Sequence, residues 1–505
     1  MFLTIISCII AFILLFYIFL IWNFDYWKKR GIVSPKPLPF VGNYPSVLTQ
    51  KRHMAYDLQD IYEKYKHTDN FVGIFSCRSP QLLITNGELV RRIYSTDFKH
   101  FHDNEASRMV DDKSDFLFAN NPFSLTGEKW RERRAEITPG LTISRVKTVY
   151  PITQRVCKNM TKFIEEQMKM VAKDGIEAKD LSLRFTSEVV TDCVLGLEAK
   201  SFSPKPSPIM TMITQIFEQN FIFIFYTIIL GLFPSLSNFI KIRFFPKKSE
   251  EFFVKIMQDS VELRRSQKEQ GVNESRVDFL NYILQLQEKK KLSTLDLAAH
   301  TMTFLSDGFE TTGSVLSHAL LLLGRDLERQ QKLREEILDT IGDKEDFDSM
   351  MDLPYLDACI HETIRLFPPG FFSNKLCTEP IELLNKNGKS LVLSKNTVVV
   401  LPLHSIMVDG DYYTNPNDFE PERFLEENGG LKKYKDLGVY YGFGEGPRAC
   451  LGMRFALAQL KSALVDIMRQ FEVRVNVKTR KDNELDPKYF LSRLNGGIWL
   501  DFKKI

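Results

Sequence analysis

One cysteine near the C-terminus constrains the possible folds of this chain more than any other residue. Cys450 lies in the run Phe443-Gly444-Glu445-Gly446-Pro447-Arg448-Ala449-Cys450-Leu451-Gly452. The glycines let the backbone pass close to a flat partner, and the apolar run from Met453 predicts a helix directly behind the sulfur. Because a helix N-terminus stabilises a thiolate and lowers its pKa, the segment has the form of a thiolate presented to a metal. A buried structural cysteine in a glycine-rich turn is the alternative interpretation.

The same glycines also suggest a dinucleotide-binding turn, but the pattern is incomplete. Gly442 and Gly444 would need a third glycine where Pro447 stands. No βαβ unit with a downstream acidic residue surrounds the run, so we exclude a nucleotide loop here. A nucleophilic hydrolase is disfavoured because the chain has no Gly-x-Ser-x-Gly elbow. The eight histidines show no metal-ligand spacing, so none is assigned to a metal.

The N-terminus predicts a membrane anchor. The 21 residues from Phe2 to Trp22 are almost wholly apolar and can cross a hydrocarbon core of ~30 Å. Tyr26-Trp27 and then Lys28-Lys29-Arg30 follow, as interfacial aromatic residues and cytosolic cations do. A cleaved signal peptide is the alternative, but the run is too long for its apolar segment and no cleavage site follows.

The predicted domain organisation has three parts. Residues 1–22 form the transmembrane anchor, 23–42 a basic stop-transfer and proline-rich hinge, and 43–505 one catalytic domain. The segment Ser34-Pro35-Lys36-Pro37-Leu38-Pro39 favours a stiff, extended spacer. The net charge of +3 gives no reason to expect nucleic acid as a partner. Seven scattered cysteines without a Cys-x-x-Cys pair favour a reduced compartment over a disulfide framework or a zinc site.

A second apolar stretch runs from Phe221 to Phe233 and is too short to span a bilayer. The cations Lys241, Arg243, Lys247 and Lys248 follow it. The stretch is either a core helix or a surface that dips into the same membrane leaflet, with the cations at the headgroups.

Periodicity beyond the hinge predicts a mainly α protein with a small β subdomain. Apolar residues recur at intervals of three and four over 56–66, 148–172, 250–287, 294–328, 352–366 and 453–471. Short β-type runs occur over 72–75, 81–85, 391–393 and 398–402.

Two helical segments carry charged residues in patterns that suit a site. Glu362 and Arg365 share one helical face, although a lone pair of this kind is a weak signal worth ~0.2–0.5 kcal/mol. Trp130 and Arg134 also share a face, and an indole N–H beside a guanidinium suits a carboxylate ligand. A basic, solvated helix face is the alternative interpretation of the second pattern.

The long helix from residue 294 carries Asp307-Gly308-Phe309-Glu310-Thr311-Thr312. A mid-helix glycine followed by a hydroxyl that can bond the i−4 carbonyl predicts a local opening of the backbone ladder. Such an opening makes room for dioxygen and a water molecule. The alternative is a glycine-tolerant helix whose polar residues face solvent.

Taken together, these motifs identify a resemblance that covers nearly the whole chain. The run Phe-x-x-Gly-x-Arg-x-Cys-x-Gly from Phe443 to Gly452 resembles the haem-thiolate signature of the cytochrome P450 monooxygenases. The details look most like insect microsomal members that metabolise xenobiotics. The resemblance implies haem b as cofactor, with Cys450 as the iron ligand in the loop that begins at Phe443. It also implies that Trp130, Arg134 and Arg448 contact the haem propionates. Lys375 stands where many relatives have another propionate-binding arginine.

The resemblance also implies roles for the other motifs. Thr311 would order a proton-donating water, with Glu310 behind it, while Asp307 stands where the family has alanine or glycine. Because an ionised carboxylate is costly in an apolar place, Asp307 must turn toward a polar neighbour, shift its pKa or meet a donor group of the substrate, and we expect the first of these. Glu362, Arg365 and Arg423, which lies in Phe419-Glu420-Pro421-Glu422-Arg423-Phe424, would form a buried structural network under the cysteine loop.

The implied partners follow from the same resemblance. An NADPH-dependent flavoprotein reductase would supply electrons, since the chain has no flavin or nicotinamide fingerprint of its own, and cytochrome b5 is a second candidate donor. Lys129, Arg131, Arg133, Arg454 and Lys461 are candidates for docking the reductase, or are solvated surface cations. The expected location is the endoplasmic reticulum membrane, with the catalytic domain on its cytosolic side.

The implied substrate is lipophilic, and its identity is open. Phe116, Phe118, Phe123, Gly370, Phe371 and Phe372 are expected either to line an apolar pocket or to fill the core. Two other functional classes stay open. One is a haem-thiolate isomerase or dehydratase that acts on peroxides without a reductase, and the other is a non-catalytic haem sensor or lipophile-binding protein.

Overall fold

A computed structural model describes residues 1–170, 174–217, 221–270, 278–342 and 346–505. Helices dominate these residues. The helices of the first half are α1 Phe2–Ile21, α2 Tyr26–Lys29, α3 Pro45–Thr49, α4 Ala55–Tyr65, α5 Gly87–Tyr94, α6 Phe116–Ala119, α7 Gly127–Ile137, α8 Ile143–Met170, α9 Ala178–Leu195, α10 Pro208–Phe217, α11 Phe221–Leu232 and α12 Lys247–Glu269. The helices of the second half are α13 Phe279–Lys290, α14 Thr294–Arg325, α15 Leu327–Ile341, α16 Phe347–Met351, α17 Pro354–Leu366, α18 Leu403–Met407, α19 Gly430–Asp436 and α20 Met453–Gln470.

The strands form three small sheets. They are β1 Phe71–Ser76, β2 Ser79–Ile84, β3 Asp103–Asn104, β4 Ile176–Glu177, β5 Ser373–Leu376, β6 Ile381–Leu384, β7 Ser390–Leu393, β8 Val398–Leu401, β9 Phe471–Val475 and β10 Trp499–Lys504. The largest sheet has the order β1-β2-β8-β5-β3, in which β2 and β8 are parallel and the other neighbours antiparallel. The others are β4-β10-β9 and the β6-β7 hairpin. The predicted class, mainly α with a small β subdomain, is confirmed.

The centre of the helical part is α14, which is buried along most of its length. Ser293 caps its first turn in a reciprocal capping box with Asp296, which fixes where this long helix begins. It packs against α9 on one side and against α17 and α20 on the other. Since Cys450 lies at the start of α20, this arrangement places α14 opposite the cysteine loop.

The predicted helices are present, with three differences of extent. The helix expected over 148–172 begins earlier, at Ile143, and residues 171–172 of that prediction lie outside the described residues. The single helix expected over 250–287 is two helices, α12 and α13, and residues 271–277 between them lie outside the described residues. The helix expected over 294–328 ends at Arg325, where Asp326 leaves the helical conformation and caps α15 through the backbone N–H of Arg329.

The N-terminal segment is less separate from the catalytic domain than the sequence suggested. Helix α1 is long and apolar enough to cross a membrane, with a mean hydropathy of 2.9. Trp27 is not an interfacial residue, because it is buried and its indole N–H donates to the Ile74 carbonyl at 3.0 Å. A side chain at Gly73 would collide with the indole, since a Cβ there would lie 2.1 Å from the Trp27 ring. The hinge is therefore fixed on β1.

Helix α11 lies beside the C-terminal end of α1. Phe19 stacks on Phe233 with ring centroids 5.1 Å apart, and Leu20 packs with Leu232 in a small apolar cluster. The N-terminal turns of α11 are open, since Ile222 is 75% exposed and Phe225 is 56% exposed. The stretch is therefore a surface helix that is attached to the anchor, rather than a helix of the core.

Candidate functional site

The cysteine loop turns the Cys450 sulfur toward an internal cavity. The backbone N–H of Cys450 donates to the Phe443 carbonyl at 2.8 Å, which closes the loop. Gly446 has a φ of 70°, and a Cβ there would lie 1.9 Å from the Tyr94 carbonyl oxygen, so this position requires glycine. Helix α20 begins at Met453, so its N-terminus lies directly behind the sulfur, as predicted.

The sulfur of Cys450 is open to the cavity, but the surrounding protein atoms remove enough water from it to raise the pKa of the thiol. The backbone N–H groups of Gly452 and Met453 and the charge of Arg134 act in the opposite direction but are outweighed. The expectation of a lowered pKa is therefore wrong for the free thiol, because the protein removes more water from the sulfur than its dipoles replace. A coordinated metal ion would deprotonate such a thiol outright.

The cavity lies between the cysteine loop and α14 and has a volume of about 350 Å³. Asp307, Gly308, Thr311 and Thr312 face it from α14, opposite Cys450. Its other walls are mainly apolar and come from the loop before α7, from α7 and the turn after it, from the end of α17 and the segment that follows, and from the cysteine loop and α20. Members of these walls are Phe123, Trp130, Arg134, Ile137, Leu141, Ile364, Pro369, Gly370, Phe443, Arg448 and Phe455.

Three buried or half-buried cations gather at one edge of this cavity. Arg448 lies over the Trp130 ring at 4.3 Å and donates to the carbonyls of Pro122 at 2.8 Å and Leu125 at 2.7 Å. Arg134 donates to the Ala449 carbonyl at 2.9 Å. Lys375 donates to Asn104 Oδ1 at 2.8 Å, and Asn104 lines the cavity. Burial lowers the pKa of all three groups, to about 10 for Arg448 and to about 7 for Lys375.

The charges at this edge do not balance within the described residues. Asp103, 3.4 Å from Arg448, is the carboxylate paired with one of the three cations. The other two cations, Arg134 and Lys375, have no carboxylate partner among the described residues. Their hydrogen-bond partners there are neutral oxygens. A ligand with two carboxylates would neutralise them, and haem b carries two. The soft thiolate donor, the mainly apolar walls and this excess of positive charge therefore fit haem b, with Cys450 toward the iron and Trp130, Arg134, Arg448 and Lys375 toward the carboxylates.

Glu362, Arg365 and Arg423 meet in a fully buried network on the cysteine side. Glu362 accepts from Arg365 Nε at 2.7 Å and from Arg423 Nε at 3.0 Å. Arg365 also donates to the carbonyls of Met407 at 2.8 Å and Pro416 at 2.7 Å. Arg423 reaches Glu420 at 2.9 Å. The spacing that was weak evidence in the sequence therefore places these charges together, with hydrogen bonds to each.

Thr311 and Asp307 lie one turn apart on the cavity face of α14. Thr311 Oγ1 donates to the Asp307 carbonyl at 2.7 Å, which is the i−4 bond expected from the sequence. The predicted opening of the backbone ladder is not present, since α14 is helical without interruption from Thr294 to Arg325. Asp307 turns to polar neighbours, Asn121 and Ser306, and yet stays in the cavity wall. The expected turn toward a polar neighbour is therefore present, although the carboxyl group still lines the cavity.

Glu310 is not among the residues that line the cavity. Its carboxylate pairs with Lys179 of α9, with Nζ 2.8 Å from Oε1, and both side chains are buried. The second oxygen, Oε2, has no hydrogen-bond partner among the described residues. The structure therefore does not support the expectation that Glu310 stands behind Thr311 at the cavity, because the buried ammonium group holds it elsewhere.

The six residues expected at an apolar pocket are divided among three places. Phe123 and Gly370 line the Cys450 cavity, whereas Phe372 lines a second, outer cavity of about 560 Å³. This outer cavity lies between α11, the hinge and the large sheet, and Val41, Tyr44, Glu105, Ile228 and Asn374 are in its wall. Phe116, Phe118 and Phe371 are core residues instead, and Phe118 stacks on Phe244 at 4.2 Å.

The five cations considered for docking a redox partner also separate. Lys129, Arg131 and Arg454 are exposed. Arg133 is buried and bound to Glu136, His300 and Asp296, so it is not available to a partner. Lys461 is buried and pairs with Asp357 at 3.0 Å. Neither burial is predictable from local spacing, because every partner of Arg133 and Lys461 except Glu136 is distant along the chain.

Sequence reasoning missed three residues that position the site: Asn121, Lys179 and Asn104. Asn121 binds Asp307, Lys179 binds Glu310, and Asn104 binds Lys375. A lysine in the otherwise buried α9 was a usable signal, since a buried lysine needs a partner. For the two asparagines no local pattern distinguishes them from ordinary loop residues.

Comparison with known proteins places these observations in a family. The profile of the cytochrome P450 family matches residues 33–499. The chain is 54% identical over 504 residues to the probable cytochrome P450 28a5 of Drosophila melanogaster, which covers 100% of this chain and 99% of the relative. It is 52% identical over 500 residues to the probable cytochrome P450 28d1 of the same species, covering 99% and 98%. Cytochrome P450 6j1 of Blattella germanica is 33% identical over 506 residues, covering 99% and 98%.

Proposed function

This chain belongs to the cytochrome P450 family, and we propose that it is a membrane-anchored monooxygenase that inserts one atom of dioxygen into a lipophilic substrate. The observation that carries the proposal is the placement of the Cys450 sulfur and the Thr311 hydroxyl on opposite walls of one mainly apolar cavity. For each substrate RH the reaction takes O2, NADPH and a proton and gives ROH, water and NADP+. When bound, haem b with a thiolate ligand supplies the activation of dioxygen.

The protein's own part is to hold the cofactor, exclude water and place protons. Cys450 would hold the iron, and the cation-rich edge formed by Trp130, Arg134, Arg448 and Lys375 would hold the carboxylates. Glu362, Arg365 and Arg423 keep the backbone under the cysteine loop in one arrangement. Thr311 Oγ1 gives its only proton to the Asp307 carbonyl, so its lone pairs are left to hold a water molecule in the cavity.

The substrate would reach this cavity from the membrane side. The outer cavity lies against α11, which exposes Ile222 and Phe225 in its first turns and packs on the anchor at its C-terminal end. Asn104 lines the inner cavity and Glu105, the next residue, lines the outer one, so the two share a wall. A lipophilic compound dissolved in the bilayer would thus first meet the mainly apolar outer cavity, which adjoins the site. Xenobiotics such as plant toxins and insecticides, or endogenous lipids and hormones, are the substrate classes of this proposal.

The proposed location is the endoplasmic reticulum membrane, with the catalytic domain in the cytosol. The exposed cations Lys28, Lys29 and Arg30 follow α1 and favour the cytosolic side for what comes after them. Electrons would come from an NADPH-dependent cytochrome P450 reductase, with cytochrome b5 as a second donor. Lys129, Arg131 and Arg454 are exposed cations near the cysteine side and suit an acidic partner surface.

Membrane attachment is tested by deleting residues 2–22. Much of the truncated protein should leave the membrane fraction, but a part should stay, because the exposed face of α11 offers a second, interfacial attachment. Sedimentation of vesicles at low salt measures the bound share, and Phe225→Asp in the truncated chain should release the remainder. If the truncated protein is folded and fully soluble, α11 does not attach to the membrane.

The reaction class is tested by comparing two sources of oxidant. Turnover of a lipophilic probe with NADPH and reductase is expected, at a rate well above that with an organic peroxide alone. Rearrangement of peroxides without reductase would instead favour a haem-thiolate isomerase or dehydratase. Haem binding with neither activity would favour a sensor or lipophile-binding protein.

A further inference from the structure

The strand pair β3–β5 forms part of the wall between the two cavities. The two strands are antiparallel, with Asn104 opposite Lys375. Successive side chains of a strand point to opposite faces, so Asn374 faces away from Lys375. Lys375 Nζ donates to Asn104 Oδ1 at 2.8 Å on the inner face, and Asn374 Nδ2 donates to Glu105 Oε2 at 2.7 Å on the outer face. Glu105 and Asn374 therefore line the outer cavity, while Asn104 lines the inner one.

The Glu105 carboxylate has no charged partner in contact with it among the described residues. Asn374 is its hydrogen-bond partner there, and its second oxygen, Oε1, accepts no hydrogen bond from them. Arg108 lies in the same cavity wall but donates to the Asn396 carbonyl at 2.7 Å instead. Burial raises the pKa of Glu105, while the Asn374 amide and the charge of Arg108 act to lower it. A cation that reaches this carboxylate would stabilise its ionised form.

The Asn374 amide is oriented by the carboxylate. An ionised carboxylate only accepts hydrogen bonds, so Nδ2 must be the group that faces Glu105. Asn374 Oδ1 is buried and has no hydrogen-bond partner among the described residues. A buried acceptor without a donor is unfavourable. The carboxylate and this unused oxygen are two acceptors in one place, which suits a ligand group that only donates, such as an ammonium group.

The rest of the outer cavity suits an apolar, partly aromatic body. Its volume of about 560 Å³ lies in the range of small-molecule sites. Phe372 and Phe490 line it, and their rings meet edge to face with centroids 6.5 Å apart. Aromatic rings favour a cation as well as an apolar group. The other charged residues of this wall are Arg108, bound to a backbone carbonyl, and Lys395, which is exposed to solvent.

We propose that the outer cavity is a binding site in its own right for lipophilic amines, whose protonated nitrogen is held by Glu105 with Asn374 beside it. Neutral lipophiles of the same size lack the charge and bind there less tightly. A bound amine lies across one wall from the Cys450 cavity, so the site concentrates such compounds next to the place of reaction. As a preference among substrates this rests on the proposed monooxygenase function, whereas the binding itself needs no turnover.

The test compares two fluorescent probes that differ in charge. Dansylcadaverine is an aromatic lipophile with a primary ammonium group, and its N-acetyl derivative is the matched neutral probe. Both are titrated into the full-length, haem-loaded protein in phosphatidylcholine vesicles, which carry no net charge. Glu105→Gln is nearly isosteric and should weaken binding of the ammonium probe by roughly tenfold or more, because a hydrogen bond between two charged groups is lost. Binding of the neutral probe should be unchanged.

Three further variants serve as comparisons. Glu105→Asp keeps the charge and should recover part of the affinity for the ammonium probe. Glu382→Gln removes an exposed carboxylate on β6, outside the cavity, and should change neither probe. Arg108→Met removes a cation that opposes the ammonium group and should strengthen its binding severalfold without changing the neutral probe. This last variant tests the proposal with the opposite sign if Glu105→Gln does not load haem.

The Soret band distinguishes the outer cavity from the inner one. A primary amine that enters the inner cavity binds the iron through its nitrogen and shifts the band to longer wavelength. The fluorescence midpoint should therefore lie at a lower probe concentration than the Soret midpoint. Glu105→Gln should move the fluorescence midpoint upward and leave the Soret midpoint in place.

Three results would overturn the proposal. Equal weakening of both probes in Glu105→Gln would mean that Glu105 only shapes the cavity. An unchanged affinity for the ammonium probe in that variant would mean that the carboxylate does not hold the nitrogen. Coincident fluorescence and Soret midpoints would mean that the amine binds in the Cys450 cavity alone. Failure of the proposed function is distinct, since a wild-type protein without NADPH-dependent turnover would leave these binding results as they are.

Discussion

The two sides of the Cys450 cavity differ in whether their charged groups have charged partners. On the cysteine side, Glu362 is fully buried between Arg365 and Arg423, and each charge has several short hydrogen bonds. On the α14 side, Asp307 has only uncharged partners, and the buried Thr312 hydroxyl, in the cavity wall, has no partner among the described residues. Fully paired charges fix a backbone, whereas groups with unused hydrogen-bonding capacity are free to serve a ligand or a proton.

The largest loss of stability is expected when the buried charges on the cysteine side lose a partner. Glu362→Gln leaves the buried Arg365 guanidinium without a carboxylate and Arg423 with Glu420 alone, which should cost roughly 3–5 kcal/mol of unfolding free energy. Little haem should be retained by the purified variant. Denaturant unfolding and haem content measure the two effects. Asp436→Asn is the control, because it breaks the exposed pair with Lys432 and should cost only about 0–1 kcal/mol. Equal losses in both variants would contradict the structural role of the network.

On the α14 side we expect little change in stability but a clear change in the ratio of product to NADPH. Thr311→Ala should keep haem and Tm while product per NADPH falls severalfold, because the water in the cavity loses its acceptor. Thr301→Ala is the matched control, since Thr301 makes the same i−4 bond, to the Leu297 carbonyl at 2.9 Å, away from the cavity. A wild-type ratio in Thr311→Ala would make that hydroxyl structural only.

The smallest effect is expected on haem affinity, at the cation-rich edge of the cavity that includes Lys375. Burial lowers the pKa of Lys375 to about 7, and a haem carboxylate would raise it again. Haem binding would then take up a proton above pH 7, so haem affinity should fall as the pH rises from 7 toward the ordinary lysine pKa of about 10.4. Lys375→Arg stays charged and should lose this dependence, while Lys375→Met should bind haem more weakly at pH 7.

Rates of haem transfer to an apoglobin between pH 7 and pH 9 test this last prediction. The difference between wild type and Lys375→Arg is the informative quantity, because other titrating groups contribute equally to both. A pH dependence in Lys375→Arg as steep as that of the wild type would mean that Lys375 does not contact the cofactor.

The residues that could be predicted from the sequence are those whose partners are close along the chain. Motifs with local spacing were found, including the Cys450 loop and the Glu362–Arg365 pair. Helix α9 was missed because almost all its residues are buried, including its serines and threonines, so it has no polar stripe to give a period. Side-chain partners far apart in sequence were also missed, as in Lys179–Glu310 and Asn121–Asp307, and these decide which carboxyl group faces the cavity.

The most direct test of the whole account is the spectrum of the reduced carbon monoxide complex in wild type and in Cys450→Ser. If the Cys450 thiolate holds the iron, the wild-type protein should give the long-wavelength Soret band of a haem-thiolate protein. Cys450→Ser should lose that band even when it retains haem, because an oxygen donor does not give the iron the same electronic character. A haem-loaded Cys450→Ser protein with an unchanged spectrum would contradict the assignment of the ligand, and with it the function proposed for the cavity.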